Sequence, residues 1–134
     1  MPLVRIDLNK GKSADHVRAI ADGVHQALVE TFAVPKDDRF QVITQHEPGS
    51  LIYDPDYMGI HRTADVVFIQ ILASNWRDTA TKQKLYARIA ALLAERPGLR
   101  PEDVLIALAP NDRPDWSFGN GVAQYVKNAA NAAQ

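Results

Sequence analysis

The chain has 134 residues, 46% of them hydrophobic and 23% charged, with a formal net charge of −1. This is the composition of an ordinary globular domain with one core, and its scattered basic residues form no stripe that would mark a nucleic acid as partner. The absence of cysteine excludes disulfides, thiolate catalysis and thiolate zinc sites.

The chain opens MPLVRIDL. Residues 3–8 alternate apolar and polar, which predicts a strand. Arg5, Asp7 and Lys10 interrupt any signal-peptide-like apolar core. NKGKS follows as a turn, with Ser13 placed to cap a helix. Val17, Ile20, Val24, Leu28 and Phe32 recur at spacings of three and four and predict an amphipathic helix over 14–32. Pro35 is the expected stop. Residues 39–46 (RFQVITQH) read as a second strand. Two prolines and two glycines in 47–63 predict a long loop, in which Tyr53, Tyr57 and His61 make a credible lid.

Residues 64–73 (ADVVFIQILA) predict the most apolar strand, too short to span a bilayer. Asp78 or Thr79 can cap a second helix carrying Leu85, Ile89 and Leu92 on one face and ending near Arg96-Pro97-Gly98. Residues 103–109 (DVLIALA) predict a fourth strand. The tail begins with the turn-rich NDRPDWSFGNG and ends in an alanine-rich stretch that reads as a short helix or a frayed end.

The order is β-α-β, a long connection, then β-α-β. Cap residues Ser13 and Thr79, and the turns VPKDD (34–38) and LRPED (99–103), recur in corresponding places. This predicts an internal duplication: one domain, 1–134, with halves at about 2–46 and 64–109 and a tail at 110–134. The expected fold is α/β (α+β), a four-stranded sheet with two helices on one face. The 64–73 strand is apolar on both faces, so the sheet's second face should be buried as well. In a chain this short, another subunit is the expected cover.

Pro2 has two readings. Proline is tolerated at the start of a strand, where its missing N–H costs little. If Met1 is removed, however, Pro2 presents a secondary amine that no internal residue can offer. Asp38 fits a turn-stabilising role as well as a chemical one, and Asp37 and Asp103 stand in comparable settings. The four histidines, His16, His25, His46 and His61, show no metal-ligand spacing. No phosphate loop or serine-nucleophile motif occurs.

Met-Pro on a strand, the doubled β-α-β unit, VPKDDRFQ at 34–41 and DWSFGNG at 115–121 together resemble the tautomerase superfamily, and within it the malonate semialdehyde decarboxylase-like group. The resemblance covers nearly the whole chain. It implies a homotrimer, while the lack of cysteine, the scattered charge and the short apolar runs fit a cytoplasmic protein with no membrane or nucleic-acid partner. It also implies a cofactor-free, metal-free reaction on a small carboxylate-bearing oxo acid. By position, Pro2 matches the catalytic proline and Asp38 the acidic residue beside it. Arg77 matches the second arginine of an Arg-x-Arg pair that binds substrate carboxylate, and Asn75 stands where the first would be. Trp116 and Phe118 match aromatics that wall the pocket. Arg39 and Arg113 are candidates for the missing charge.

Keto–enol tautomerisation, with Pro2 as the proton shuttle, needs the fewest groups. Decarboxylation, by acid catalysis or through an iminium adduct, and hydration also need Asp38 and normally both arginines. A trimeric binding or structural module is the reading from another class.

Overall fold

The computed structural model describes residues 1–126, so the alanine-rich end lies outside the described residues. The elements are β1 (Pro2–Asn9), α1 (Ala14–Phe32), β2 (Gln41–His46), β3 (Val67–Ser74), α2 (Thr79–Glu95) and β4 (Val104–Asn111). One sheet carries the strands in the order β2-β1-β3-β4. β1 pairs parallel with β2, β3 parallel with β4, and β1 antiparallel with β3 at the centre. Each parallel pair is joined through its helix.

Local chemistry sets the helix limits. The Ser13 side chain accepts from the His16 N–H at 3.1 Å, and the Asp78 side chain accepts from the Thr81 N–H at 2.8 Å. Such caps satisfy orphan donors of the first turn. The expected stop at Pro35 comes earlier. Ala33 takes a left-handed conformation (φ 56°) and returns its N–H to the Leu28 carbonyl. The α1 helix thus ends by a backbone turn, and Pro35 only prevents its resumption.

Val4, Ile6 and Leu8 of β1 and Val67, Ile69 and Ile71 of β3 point to the helices and are fully buried against Val24, Leu28, Leu85, Ile89 and Leu93. Gly23 lets the helices approach. A Cβ built there would lie 2.8 Å from Leu93 Cδ2.

The other face of the sheet is open. Phe40, Val42 and Leu105 are exposed there, and Phe68 and Leu72 half-buried. Arg5 and Gln70, opposite each other in register, are also exposed, so polar residues cross its middle.

The halves superimpose in numbering. An offset of 65 carries Pro2 to Val67 and Ala14 to Thr79, and carries the pair Val4–Gln41 onto Ile69–Ile106. The two β-α-β units are therefore related by an approximate two-fold axis, with their strand starts at opposite ends of the sheet.

That geometry corrects the lid expectation. The 47–63 loop joins the end of β2 to the start of β3, and both lie beside the C-terminal end of β1. Pro2 is at the other end of β1, so the loop does not cover it within the chain. The loop is well tied. Arg62 Nη1 donates to the carbonyls of Asp54, Tyr57 and Ile60. Asp103, fully buried, accepts from the Thr63 N–H and hydroxyl, each at 2.7 Å.

Candidate active site

Pro2 begins β1 opposite Ala73, near the end of β3, and is buried. Ser74 pairs with Asn111, and Asn75 continues the ladder by donating its N–H to the Asn111 carbonyl at 2.7 Å. The first residue of β1 and the last residues of β3 and β4 therefore meet at one end of the sheet. Asn75 is exposed and Ser74 buried at this rim.

The turn after α1 brings in Asp38. Its N–H donates to the Pro35 carbonyl at 3.0 Å, which fixes the turn and aims the side chain inward. Its carboxylate is only 13% exposed, and Oδ2 lies 3.8 Å from the terminal nitrogen of Met1. Oδ1 is buried and receives no hydrogen bond from the described residues. Burial pushes the Asp38 carboxyl above its ordinary pKa, with Asp37 adding to the effect and the terminal amine and His25 opposing it. The terminal amine moves the other way. Burial lowers its pKa first, Asp38 opposes this, and Arg77 and Arg113 reinforce it. Both groups are held toward their neutral forms because both are desolvated.

Arg77 is buried, and its guanidinium lies between the rings of Phe32 (4.2 Å to the centroid) and Trp76 (4.1 Å). Nη2 and Nε donate to the Phe32 carbonyl at 2.9 and 3.3 Å. That carbonyl is at the end of α1, where helix carbonyls lack partners. The arginine thus closes α1 and carries the chain toward Asp38. Nη1 is buried and has no hydrogen-bond partner among the described residues. This alters the expected role of Arg77: the planar fork that would grip a carboxylate with two bonds already faces a backbone oxygen.

Of the two candidates for the missing charge, Arg39 is committed elsewhere. It donates to Asp22 at 2.6 Å and to Gln41 at 3.0 Å. Arg113 acts on the terminal amine and stacks over Tyr125 at 5.2 Å.

The tail turns back after β4. Asp112 and Asp115 cap each other around a short 3₁₀ turn at Arg113–Asp115. Trp116 Nε1 then donates to Asn111 Oδ1 at 2.7 Å. Trp116 and Phe118 stack at 5.5 Å, and Phe118 meets Tyr125 edge-on at 5.0 Å. Tyr125 is a site residue that sequence reasoning missed. Its phenol is shifted up by burial and by Asp38, while Arg113 and Arg77 act against the shift. The sign of its presence was an aromatic a few residues beyond DWSFG, continuing the same aromatic run.

The histidines are engaged separately. His25 bonds the Lys36 carbonyl, His46 bonds Asp7 and His61 bonds Asp56. His16 sits near Lys12 and is held toward its neutral form by burial. Among the described residues no cluster of three His, Cys, Asp or Glu side chains could hold a metal ion, and no helix is long and apolar enough to cross a membrane.

Two family models, each described as "Tautomerase enzyme", match residues 2–60 and 38–119. The probable tautomerase YusQ of Bacillus subtilis (strain 168) is 41% identical over 95% of this chain and 100% of its own length. The probable tautomerase YrdN of the same organism is 33% identical over 94% of this chain and 97% of its own. Among solved structures, FG41 malonate semialdehyde decarboxylase inhibited by 3-bromopropiolate superimposes with a TM-score of 0.87 at 45% identity, covering 92% of this chain and 93% of that one. A second malonate semialdehyde decarboxylase, whose structures address decarboxylase and hydratase activities, gives 0.86 at 33% identity, covering 92% and 95%.

Proposed function

The chain belongs to the tautomerase superfamily, in its malonate semialdehyde decarboxylase-like group, and from that premise we propose a cofactor-free acid–base enzyme that works through the amine of Pro2 after loss of Met1. The observation that carries this reading is a difference between the halves. Asp38 and Asp103 correspond under the 65-residue offset, each just ahead of its strand. Asp103 is satisfied by Thr63 and joined at 3.7 Å by Arg100. Asp38 keeps an oxygen buried with no donor among the described residues and faces the chain terminus. An orphaned buried carboxylate oxygen costs about 1–3 kcal/mol. The duplicate position shows that the fold itself does not require that cost.

The reaction we favour is keto–enol tautomerisation of a small oxo acid. Burial biases the Met1 amine to its neutral form against Asp38, with Arg77 and Arg113 reinforcing burial, and the adjacent, buried Pro2 is taken to feel the same balance once Met1 is lost. A neutral Pro2 nitrogen takes a proton from the carbon next to the carbonyl and returns it to the oxygen of the resulting enolate. Catalysis of this kind is typically worth about 10²–10⁴-fold. Trp116, Phe118 and Tyr125 wall the site and exclude water. The Asn75 side chain offers one amide donor to substrate oxygen. Arg77 supplies positive field and holds the α1 end in place.

A second reading, decarboxylation of a 3-oxo acid, is favoured by the unpartnered Asp38 oxygen. That carboxylate can orient the departing group or a water, and the likeness to two decarboxylases points the same way. Assays with phenylpyruvate enol and with malonate semialdehyde separate the two reactions. Intact mass comes first: retention of Met1 would sink every version that uses the Pro2 amine. Loss of turnover in Pro2→Ala with assembly intact would exclude a purely structural protein.

We also propose that the open sheet face is covered by further copies in a trimer. Phe40, Val42 and Leu105 are the exposed apolar groups there. Val42→Glu combined with Leu105→Glu should give monomers by sedimentation. An unchanged assembly would show that other surfaces hold it.

A further inference from the structure

The approximate two-fold axis gives the sheet a second end that corresponds to the Pro2 end. The offset carries Ser74, Asn75 and Arg77 back to Asn9, Lys10 and Lys12, and carries Trp116 and Phe118 back to Leu51 and Tyr53. These positions line a cavity of about 460 Å³, together with Asp65 and residues of the 47–63 loop. The tie between Thr63 and Asp103 and the bond from Asn9 Nδ2 to the Ala64 carbonyl at 3.0 Å hold its wall in place. The loop that the lid expectation assigned to Pro2 thus builds a pocket of its own.

This pocket has no catalytic centre of the Pro2 type. Val67, the counterpart of Pro2, lies inside the chain, and Asp103 has its hydrogen bonds filled. The cationic rim is richer, however. Where the Pro2 end has Asn75 and a buried Arg77, this end has two ammonium groups two residues apart. Gly11 between them sits at φ 112°, a conformation open to glycine, so the turn presents both lysines at the mouth. Each lysine rests on an acidic side chain, Lys10 on Glu47 and Lys12 on Asp65. The Lys10, Glu47 and Asp65 side chains are half or more exposed. Ion pairs of this kind are worth about 0–1 kcal/mol, so an incoming anion can exchange for them.

We propose that this cavity is a second, non-catalytic binding site for a small dicarboxylate, held by Lys10 and Lys12 with its short carbon stem against Leu51 and Tyr53. Two ammonium groups match two negative charges once Glu47 and Asp65 swing away into solvent. Asp65 at the rim disfavours a more highly charged polyphosphate.

The test is a titration of the intact protein with malonate at constant ionic strength, followed by amide NMR. Shifts at Gly11, Gly49 and Tyr53 are expected, saturating with a dissociation constant on the order of 1 mM, the scale of a weak ligand. In Lys10→Ala/Lys12→Ala those shifts should need at least tenfold more malonate. Shifts near Ala73 and Asn75, and turnover at Pro2, should be unchanged. Acetate should bind more weakly than malonate. The proposal is overturned if malonate to about 50 mM, well above that weak-ligand scale, moves only residues at the Pro2 end. It is equally overturned if the double variant responds as the parent does. The wild-type titration stands whether or not the variant folds.

Discussion

Asp38→Asn tests the electrostatics of the site directly. The substitution keeps size and shape and removes one negative charge that lies 3.8 Å from the amine of Met1, and we take a similar separation for the Pro2 amine exposed once Met1 is lost. At that separation a unit charge is worth about 1 kcal/mol in a water-like medium and about 4 kcal/mol at an effective dielectric of 20. The amine is partly reached by solvent, so the lower part of that range applies, roughly 1–2 kcal/mol, or about one pKa unit. The sign follows from the groups around the Met1 amine: burial favours its neutral form, Asp38 opposes this, and Arg77 and Arg113 reinforce it. Without Asp38 the Pro2 amine should therefore lose its proton at lower pH. The acid limb of kcat/KM against pH, measured with phenylpyruvate enol, should move down by roughly one unit, and a ¹⁵N titration of Pro2 should move with it. Turnover of malonate semialdehyde, which uses the carboxylate itself, should fall by about 10²-fold or more. An acid limb that stays in place or moves up would refute the coupling and with it the pairing of Asp38 with Pro2.

The same substitution should stabilise the fold. The folded Asp38 pKa is raised, so its contribution is favourable below the ordinary carboxylate pKa and is lost as pH rises through the raised value; calorimetry of Asp38→Asn should show a higher Tm at pH 7, with the gain vanishing below about pH 4. Asp103→Ala should do the opposite, costing about 2–4 kcal/mol by leaving Thr63 donors unpaired while kcat/KM of the folded fraction stays unchanged, as denaturant titration and assay at low temperature would show. Arg77→Met should cost about 1–3 kcal/mol through the lost Phe32 carbonyl bonds and ring contacts and shift the acid limb to higher pH. Its KM should change by less than about tenfold, whereas loss of a two-bond carboxylate clamp would raise KM by far more.

Periodicity carried much of the architecture. The 3–4 spacing from Val17 to Phe32 marks α1 to its observed ends, because those side chains are the ones that meet β1 and β3. Strand limits moved by a few residues where pairing, which sequence does not display, decides them. β2 begins at Gln41 since Arg39 turns aside to Asp22, and β3 runs to Ser74 because Asn111 is there to pair with it. Pro2 and Asp38 were named from the resemblance, and the fold places the Asp38 carboxylate beside the chain terminus where β1 begins. Arg77 was legible as a residue and not as a geometry. Only the fold shows that its Nε and Nη2 are engaged by the carbonyl at the end of α1. The loop was misassigned because linear order says nothing about which end of an antiparallel pair a connection reaches. Tyr125 lay past the last turn motif, in a segment whose return toward Asp38 depends on the capping of Asp112 by Asp115.

Duplication turns these facts into a controlled comparison. Two positions with the same local surroundings can differ only through what evolution has asked of each end of the sheet. Where the second half binds its carboxylate with Thr63, the first half leaves Asp38 facing an amine. Where the first half has Lys10 and Lys12, the second has Asn75 and an arginine withdrawn to Phe32. At the Pro2 end the cation is buried and at the other end it is at the rim, which suits the proposed role of the Pro2 amine as a base. The Lys10 end keeps its charge at the surface, where it can meet an anion without altering the pKa of any catalytic group. The proposed division of labour between the two ends would follow from desolvation. A buried cation near Pro2 lowers the amine's pKa and tunes the chemistry, while an exposed one mainly attracts ligand.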